Sequence, residues 1–494
     1  MKAKIVLTTV FILTLTFTDK LFSQTWSTVG TGANNRVSTM AVYNGELYAG
    51  GWFTTAGGAT ANYIAKWNGS TWSTVGSGVG GYVNALAVYN GDLYVAGEFT
   101  SPAYYLAKWN GTSWSAVSGG TSGPVNALAV YNNELYVGGN FVFANGVGVY
   151  NLAKWNGTTL SVAGGTNDYV TALGVYNNEL YVGGNFSNAG GVTAYNLAKY
   201  NGTSWSPTGA AWSGASPLVY SMTTYNNKLI VGGDFYSAKY VSSYNGSTWA
   251  GLGTGTNNSV RALTVFNSQL YVAGNFSLAG GATANKIAQW DGTSWATVGS
   301  GMNQQVFSLV EYNSELYAGG DFTNAGGVTV SAIAKFSIPF TVSTSANPTN
   351  GGTTTGGGSY SSGTSVTVSA AANTGSTFNN WTENGNIVSA NSTYIFSVSA
   401  NRNLVAEFSL TTGVNETILN SSVNIYPNPT TGNISITSDK NCILNIYNNL
   451  GQLVSTKNIL IGKTDFSFAD KGIYLFVLVT DSGEIVATRQ TIIQ

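Results

Sequence analysis

Most of this chain is built from short apolar runs separated by turn residues, and the runs recur in a fixed order. A repeating unit reads Val-x-Ala-Leu-Ala-Val-Tyr-Asn, then x-Leu-Tyr-Val-Gly-Gly-x-Phe, then a glycine-rich loop, then Ile-Ala-Lys-Trp-Asn-Gly, then x-x-Trp-Ser-x-Val-Gly. The leucine of the second run marks seven copies, at Leu47, Leu93, Leu135, Leu180, Leu229, Leu270 and Leu316, forty-odd residues apart. Each run alternates or is short and apolar, as strands with covered faces do. Asn44-Gly45, Asn90-Gly91 and Asn132-Asn133 separate the first run from the second. Asn68-Gly69, Asn110-Gly111, Asn156-Gly157, Asn201-Gly202, Asn245-Gly246 and Asp291-Gly292 separate the third from the fourth. Asn and Gly tolerate positive φ, so both sets predict type I′ hairpins. Each copy is then an antiparallel four-stranded meander, and four strands at a period in the forties predict a propeller blade.

The fourth run carries Trp26, Trp72, Trp114, Trp205, Trp249 and Trp295, with Leu160 in one slot. Trp26 precedes the first complete copy, and no fourth run follows Phe336 in the seventh. The N-terminal strand is therefore expected to complete the last blade, which removes the free edge of an open array. The predicted fold is all-β, with a seven-bladed β-propeller of four-stranded blades over residues 25–338. The Leu-Tyr-Val-Gly-Gly run with its following tryptophan run resembles the kelch type of repeat. The Phe-x-x-Ala-Gly-Gly loop with Ile-Ala-Lys-Trp-Asn-Gly resembles more closely the repeats of the fungal cortical polarity marker family and its bacterial relatives. Both resemblances imply fold and leave function open.

The remaining segments read differently. Lys2 and Lys4 precede an apolar run, Ile5 to Phe17, too short to span a bilayer and followed by small and polar residues. Residues 1–24 are read as an export signal, cut near Ser23 or Gln24. No other segment approaches membrane-spanning length. Residues 339–410 are rich in Thr, Ser, Gly and Asn, with a turn-dense stretch at Asn347 to Gly358 that a flexible linker would also explain. Strands are predicted at Val366 to Ala370, Phe378 to Trp381, Tyr394 to Val398 and Leu404 to Phe408. Gly363-Thr364-Ser365-Val366 and Phe378-Asn379-Asn380-Trp381 resemble the divergent B-repeat of internalin-like surface proteins, which implies a small β spacer domain. Residues 411–494 predict a small β-sandwich, with strands at Asn433 to Thr437, Ile443 to Tyr447, Ile473 to Thr480 and Ile485 to Ile493. Tyr426-Pro427-Asn428-Pro429, Ile446 to Gly451, Gly472-Ile473-Tyr474 and the last strand resemble the C-terminal sorting domain of the type IX secretion system. That resemblance implies the secretion machinery as partner, and a secreted or outer-membrane-surface location in a Gram-negative bacterium.

Composition narrows the chemistry. The chain has 494 residues, no histidine and one cysteine, Cys442. Histidine bases, Ser-His-Asp triads and histidine-bound metals are excluded, as is an intrachain disulfide. The copper-oxidase route that a kelch resemblance invites closes for the same reason. Charged residues are 8% and the net charge is −1. Only Arg36, Arg261, Arg402 and Arg489 are arginines, so no nucleic-acid-binding stripe exists. Asn68 to Trp72 partly echoes the aspartate box of sialidases. Trp67 stands at the aspartate position, and the propeller's two arginines do not make that family's cluster. The glycine-rich loops do not precede helices and are turns rather than phosphate cradles.

Two sets of carboxylates recur. Glu98, Asp234 and Asp321 stand just before the Phe of their copies, where capping of a strand end is expected and calcium ligation is the alternative. Glu46, Glu134, Glu179 and Glu315 stand at a hairpin corner, where solvent exposure is expected. No pair is singled out for glycosidic chemistry, and no catalytic residue or cofactor is assigned. Binding has a clearer signal, because the copies differ at one position near the start of the first strand: Ser38, Asn84, Asn126, Thr171, Tyr220, Arg261 and Phe307. The preceding loop varies as well, at Arg36, Tyr82, Pro124, Tyr169, Leu218, Ser259 and Gln305. The first strand of a propeller lines its channel, so Tyr82, Asn84, Asn126, Tyr169, Thr171, Tyr220, Arg261 and Phe307 are expected around one mouth. The second-to-third-strand loops are expected to add Tyr63, Tyr104, Tyr105, Tyr150 and Tyr195. Aromatic and amide side chains with little charge suit a neutral glycan or a protein surface. The expectation is an exported, non-catalytic binding or adhesion protein. A secreted glycan hydrolase or lyase using carboxylate or tyrosine chemistry, and a structural envelope component, are the alternatives.

Overall fold

The computed structural model describes residues 25–210, 212, 217–410 and 423–493. The expected export signal at 1–24 lies outside them, as do residues 411–422 at the expected start of the tail. Among the described residues, all regular structure is β apart from one helical turn, Tyr236–Ala238. The chain divides into two compact units.

The first unit holds the propeller. Seven four-stranded antiparallel sheets are its blades. In the first blade Val37–Tyr43, Glu46–Gly51, Ile64–Trp67 and Trp72–Thr74 pair in chain order. The seventh takes Val306–Tyr312, Glu315–Gly320 and Ile333–Ser337, and then Thr25–Thr28 from the other end, with Thr25 opposite Ser337 and Thr28 opposite Ala334. First strands of successive blades neighbour each other round the whole ring, the seventh next to the first. The first strand therefore lines the axis, and the tryptophan strand forms the rim.

Cohesion comes from between the blades. Tyr43, Tyr48 and Ile64 of the first blade form one buried cluster with Val83, Leu93 and Phe99 of the second. Burying one such side chain contributes about 1.5–3 kcal/mol. Polar groups add fixed ties. The tyrosine ending the first strand donates its hydroxyl to a hairpin carbonyl of the next blade: Tyr43 to Gly91 at 3.0 Å, Tyr89 to Asn133 at 2.8 Å, Tyr176 to Asn227 at 2.9 Å, and Tyr312 across the closure to Gly45 at 3.1 Å. On the rim, Trp26 Nε1 donates to the Val298 carbonyl and Trp72 Nε1 to that of Val29.

Two local expectations are corrected. First-to-second-strand hairpins have both central residues at positive φ, Asn44 at 48° and Gly45 at 75°, as type I′ requires. The third-to-fourth hairpins do not. There Trp67 pairs with Trp72, only Gly69 has positive φ, and Asn68 Oδ1 accepts the amides of Ser70 and Thr71. The asparagine acts through its side chain, as an Asx turn. The corner glutamates, in turn, are not free in solvent. Glu46, Glu134, Glu179 and Glu315 pair with Lys66, Lys154, Lys199 and Lys335 of the third strand at 2.8–2.9 Å, and Asp92 with Lys108 at 2.7 Å. The sheet places the two side chains on one face, and Glu315 is buried.

In the second unit, Gly352–Thr355 pairs with residues 369–372, so the turn-dense stretch contains a strand. Ser376–Glu383 pairs with Asn386–Ser389 on one side and with residues 404–410 on the other, and Trp381 is fully buried. The tail is a sandwich of two sheets. One contains Asn424–Tyr426, Asn433–Ser438 and Gly462–Ser467; the other Leu453–Ile459, Cys442–Tyr447, Gly472–Val479 and Ile485–Ile493. Ile434, Ile436, Leu444, Ile446, Phe476 and Leu478 fill it, together with Cys442.

Candidate ligand-binding mouth of the propeller

Every first strand carries the same irregularity near its start. In the first blade Val37 pairs with Gly51 and Thr39 with Gly50, so Ser38 is skipped. In the following blades the skipped residue is Asn84, Asn126, Thr171, Tyr220, Arg261 and Phe307. Such a bulge bends the strand and re-aims the extra side chain. The second strand comes very near it. A Cβ on Gly51 would lie 2.1 Å from the Arg36 carbonyl oxygen, and one on Gly139 or Gly184 would lie 2.2 Å from that of Pro124 or Tyr169. The second glycine of the Leu-Tyr-Val-Gly-Gly run is thus required by the bulge. The variable column of the sequence is the bulge column.

The bulged side chains surround a cavity of ≈ 310 Å³ at the axis. Of the eight residues singled out from the sequence, Asn84, Asn126, Thr171, Tyr220, Arg261 and Phe307 line it, with Arg36, Ser38, Trp52 and Glu98. Tyr82 stands one layer back, stacked on Trp52 at 4.4 Å. Tyr169 is not on the lining. Of the loop tyrosines, Tyr104, Tyr150 and Tyr195 are about 60% exposed at equivalent places in three successive blades. Tyr63 meets Tyr82 edge-on, and Tyr105 packs against the buried core between the second and third blades.

The lining has two parts. On blades two to four, side chains tie one blade to the next. Asn84 Nδ2 donates to the Val125 carbonyl at 3.4 Å, Asn126 Nδ2 to that of Val170 at 3.1 Å, and Thr171 Oγ1 to that of Val219. The rest is a stack of alternating rings and guanidinium groups. Trp52 lies between Tyr82 and Arg36, whose Cζ is 4.3 Å from the Trp52 ring and 4.1 Å from that of Phe307. Arg261 Cζ is 5.9 Å from Phe307 and 3.6 Å from Tyr220.

The charges are unequal. Arg36 makes a two-pronged pair with Asp321, Nε to Oδ1 and Nη2 to Oδ2, each 2.8 Å. Glu98 accepts from Asn84 Nδ2 at 3.5 Å. Arg261 has no ion pair among the described residues, and its Nε is buried without a hydrogen-bond partner. Burial lowers the pKa of Arg261 from its ordinary value, opposed by Tyr220 and Asp234; burial raises that of the Tyr220 hydroxyl. Among the described residues, no three Asp, Glu or Cys side chains are gathered to hold a metal ion.

Trp52 and Glu98 escaped the sequence reading as wall residues. Both precede the Phe of their copies. Cross-strand register brings that column opposite the loop column, Tyr82 facing Glu98 and Leu218 facing Asp234. Three varying columns therefore meet at one place, which the strand pairing alone would have revealed.

Comparison with known families gives matches to three parts of the chain. Residues 424–494 match the secretion system C-terminal sorting domain. The tail is a type IX sorting domain. It directs export to the cell surface or beyond it. Residues 342–412 match the divergent InlB B-repeat domain, and residues 177–206 match a β-propeller domain of unknown function (DUF5122). None of these descriptions names a catalytic activity. No curated protein matches the chain. Solved structures of similar course include the extracellular domain of a one-component system from B. thetaiotaomicron, at 10% identity and TM-score 0.45, covering 96% of this chain and 98% of that one. The extracellular domain of a hybrid two-component system from the same organism matches at 12% identity and TM-score 0.44, over 96% of this chain and 73% of that one. A computationally designed protein matches at 13% and 0.41, over 64% of this chain and all of its own. Among the described residues, no helix is long and apolar enough to cross a membrane.

Proposed function

We propose that the propeller is a non-catalytic binding module of an exported protein, and that its axial mouth holds a polar ligand, a glycan before a protein surface. One observation carries this reading: seven copies that agree in scaffold differ at the bulge, and the bulged side chains line one cavity. A volume of ≈ 310 Å³ suits one or two sugar rings. The exposed faces of Tyr104, Tyr150 and Tyr195 would extend contact along a chain. A neutral ligand is expected from the sparse charge; the guanidinium of Arg261, which has no ion pair among the described residues, favours one with an acidic group.

The test is a polysaccharide and glycan-array screen on the full chain, with and without calcium. Saccharide binding that falls at least tenfold in the Trp52→Ala, Tyr220→Ala double variant supports the reading. Retained affinity in that variant, or no saccharide bound by the wild type, overturns it.

A further inference from the structure

We propose that the mouth selects an acidic sugar, and that Arg261 takes its carboxylate. The proposal rests on the glycan-binding reading above and names the class of ligand.

The two arginines of the stack differ in one respect. Asp321 satisfies Arg36 through both prongs of its guanidinium, so that charge is balanced within the wall. Arg261 is held in place by ring contact with Tyr220 but has no carboxylate in ion-pairing range among the described residues. Asp234 acts on it only through space, and Arg36 repels it. Glu98 stands on the second blade, three blades round from Arg261 by way of the seventh and first, and is engaged by Asn84. A guanidinium that has given up water and left a buried donor unpaired is costly. Arg261 lines the cavity, and a planar carboxylate arriving there matches the accessible part of its guanidinium and offsets the lost hydration, where a neutral hydroxyl does so only in part. Tyr220 stays protonated, since burial disfavours its anion, and supplies a second donor beside Arg261. Asn126 and Thr171 each direct a donor to a carbonyl of the next blade.

An acidic peptide also offers carboxylates. The sugar is favoured because three exposed tyrosines recur on successive blades around the same face, as stacking platforms for a chain of flat rings.

The experiment is calorimetry on the full chain with three probes: oligogalacturonate, the same oligomer with its carboxyl groups methyl-esterified, and polyglutamate. Arg261→Gln and Arg261→Lys are compared with wild type, and melting curves confirm that each variant is folded. The acid oligomer is expected to bind at least about tenfold more tightly than its ester, and less tightly as salt rises. Arg261→Gln should erase that advantage, and Arg261→Lys should retain only a small part of it, since an ammonium lacks the fork. Equal affinity for acid and ester, an undiminished preference in Arg261→Gln, or tighter binding of polyglutamate than of the sugar overturns the proposal. The ester comparison on wild type decides the matter even where a variant fails to fold. If neutral saccharides bind but the acid has no advantage, only this proposal falls. If no saccharide of either kind binds, the glycan reading falls with it.

Discussion

The two sides of the propeller mouth use one backbone device for different ends. On blades two to four the bulge presents Asn84, Asn126 and Thr171, and each ties its blade to a carbonyl of the next. On blades five to seven it presents Tyr220, Arg261 and Phe307, which stack on one another and on Arg36. The bulge and its glycine are common to both sides. Variation at one column therefore hides two roles. One set of residues sutures the ring, while the other builds a rigid wall of rings and cations with a single unneutralised charge.

The comparison can be broken at several strengths. Removing residues 25–32 takes away the closing strand and Trp26, and both sides of the mouth should fail together. Calorimetry should show a loss of at least about 3–5 kcal/mol, the scale of deleting one buried tryptophan; an unchanged melt would show that the ring does not need this strand. Gly139→Ala and Gly274→Ala probe the shared device on opposite sides. A Cβ at either position meets a carbonyl oxygen at 2.1–2.2 Å, and each should cost about 1–3 kcal/mol by urea titration. A cost on one side alone would mean that the bulges are not equivalent. Asp321→Asn should then weaken the stacked side by about 1.5–3 kcal/mol, and Asn126→Ala the sutured side by about 1 kcal/mol. A double-mutant cycle of Asp321 with Arg36 should show coupling, and one of Asp321 with Asn126 none.

The smallest effect lies in the scaffold. Trp155 donates to the Tyr94 hydroxyl at 3.0 Å, but the residue facing Tyr271 from the next blade is Phe336, and that hydroxyl is buried without a partner. Burial pushes the Tyr271 pKa up to about 12. A raised folded-state pKa means that its contribution is complete below about pH 10 and lost as pH climbs from there toward 12. Tyr271→Phe should flatten that alkaline decline and raise stability at neutral pH by up to about 1 kcal/mol. An equally steep decline in the variant would clear Tyr271 of it.

Much of this architecture was legible because it is repeated. Seven leucines fix the period, the Asn-Gly pairs mark the corners, and the orphan Trp26 run matches the gap after Phe336. Features that depend on which strands lie opposite each other were not legible. Trp52 is the one apolar residue in a column otherwise made of Asn, Asp and Glu, and it forms part of the stack because its column faces the loop that carries Arg36. Glu46 looked like a solvated corner, yet Lys66 shares its side of the sheet. Asn68 and Asn44 look alike in sequence, and only hairpin length decides whether the backbone or the side chain of the asparagine makes the turn. The Gly-Gly pair held the missing clue, since a glycine fixed at the end of an otherwise bulky strand announces the close approach of another backbone.

The pairing of Thr25 with Ser337 also has a bearing on the order of assembly. Blades one to six are made of contacts between nearby segments and can form as each emerges. The seventh joins the two most distant strands of the ring, a closure with a large entropic cost and a correspondingly slow approach. Strand Thr25–Thr28 is made first and seated last. Until then the edge of Ile333–Ser337 stands open to pairing with any strand that reaches it, so the closing event is where correct folding and aggregation compete most directly.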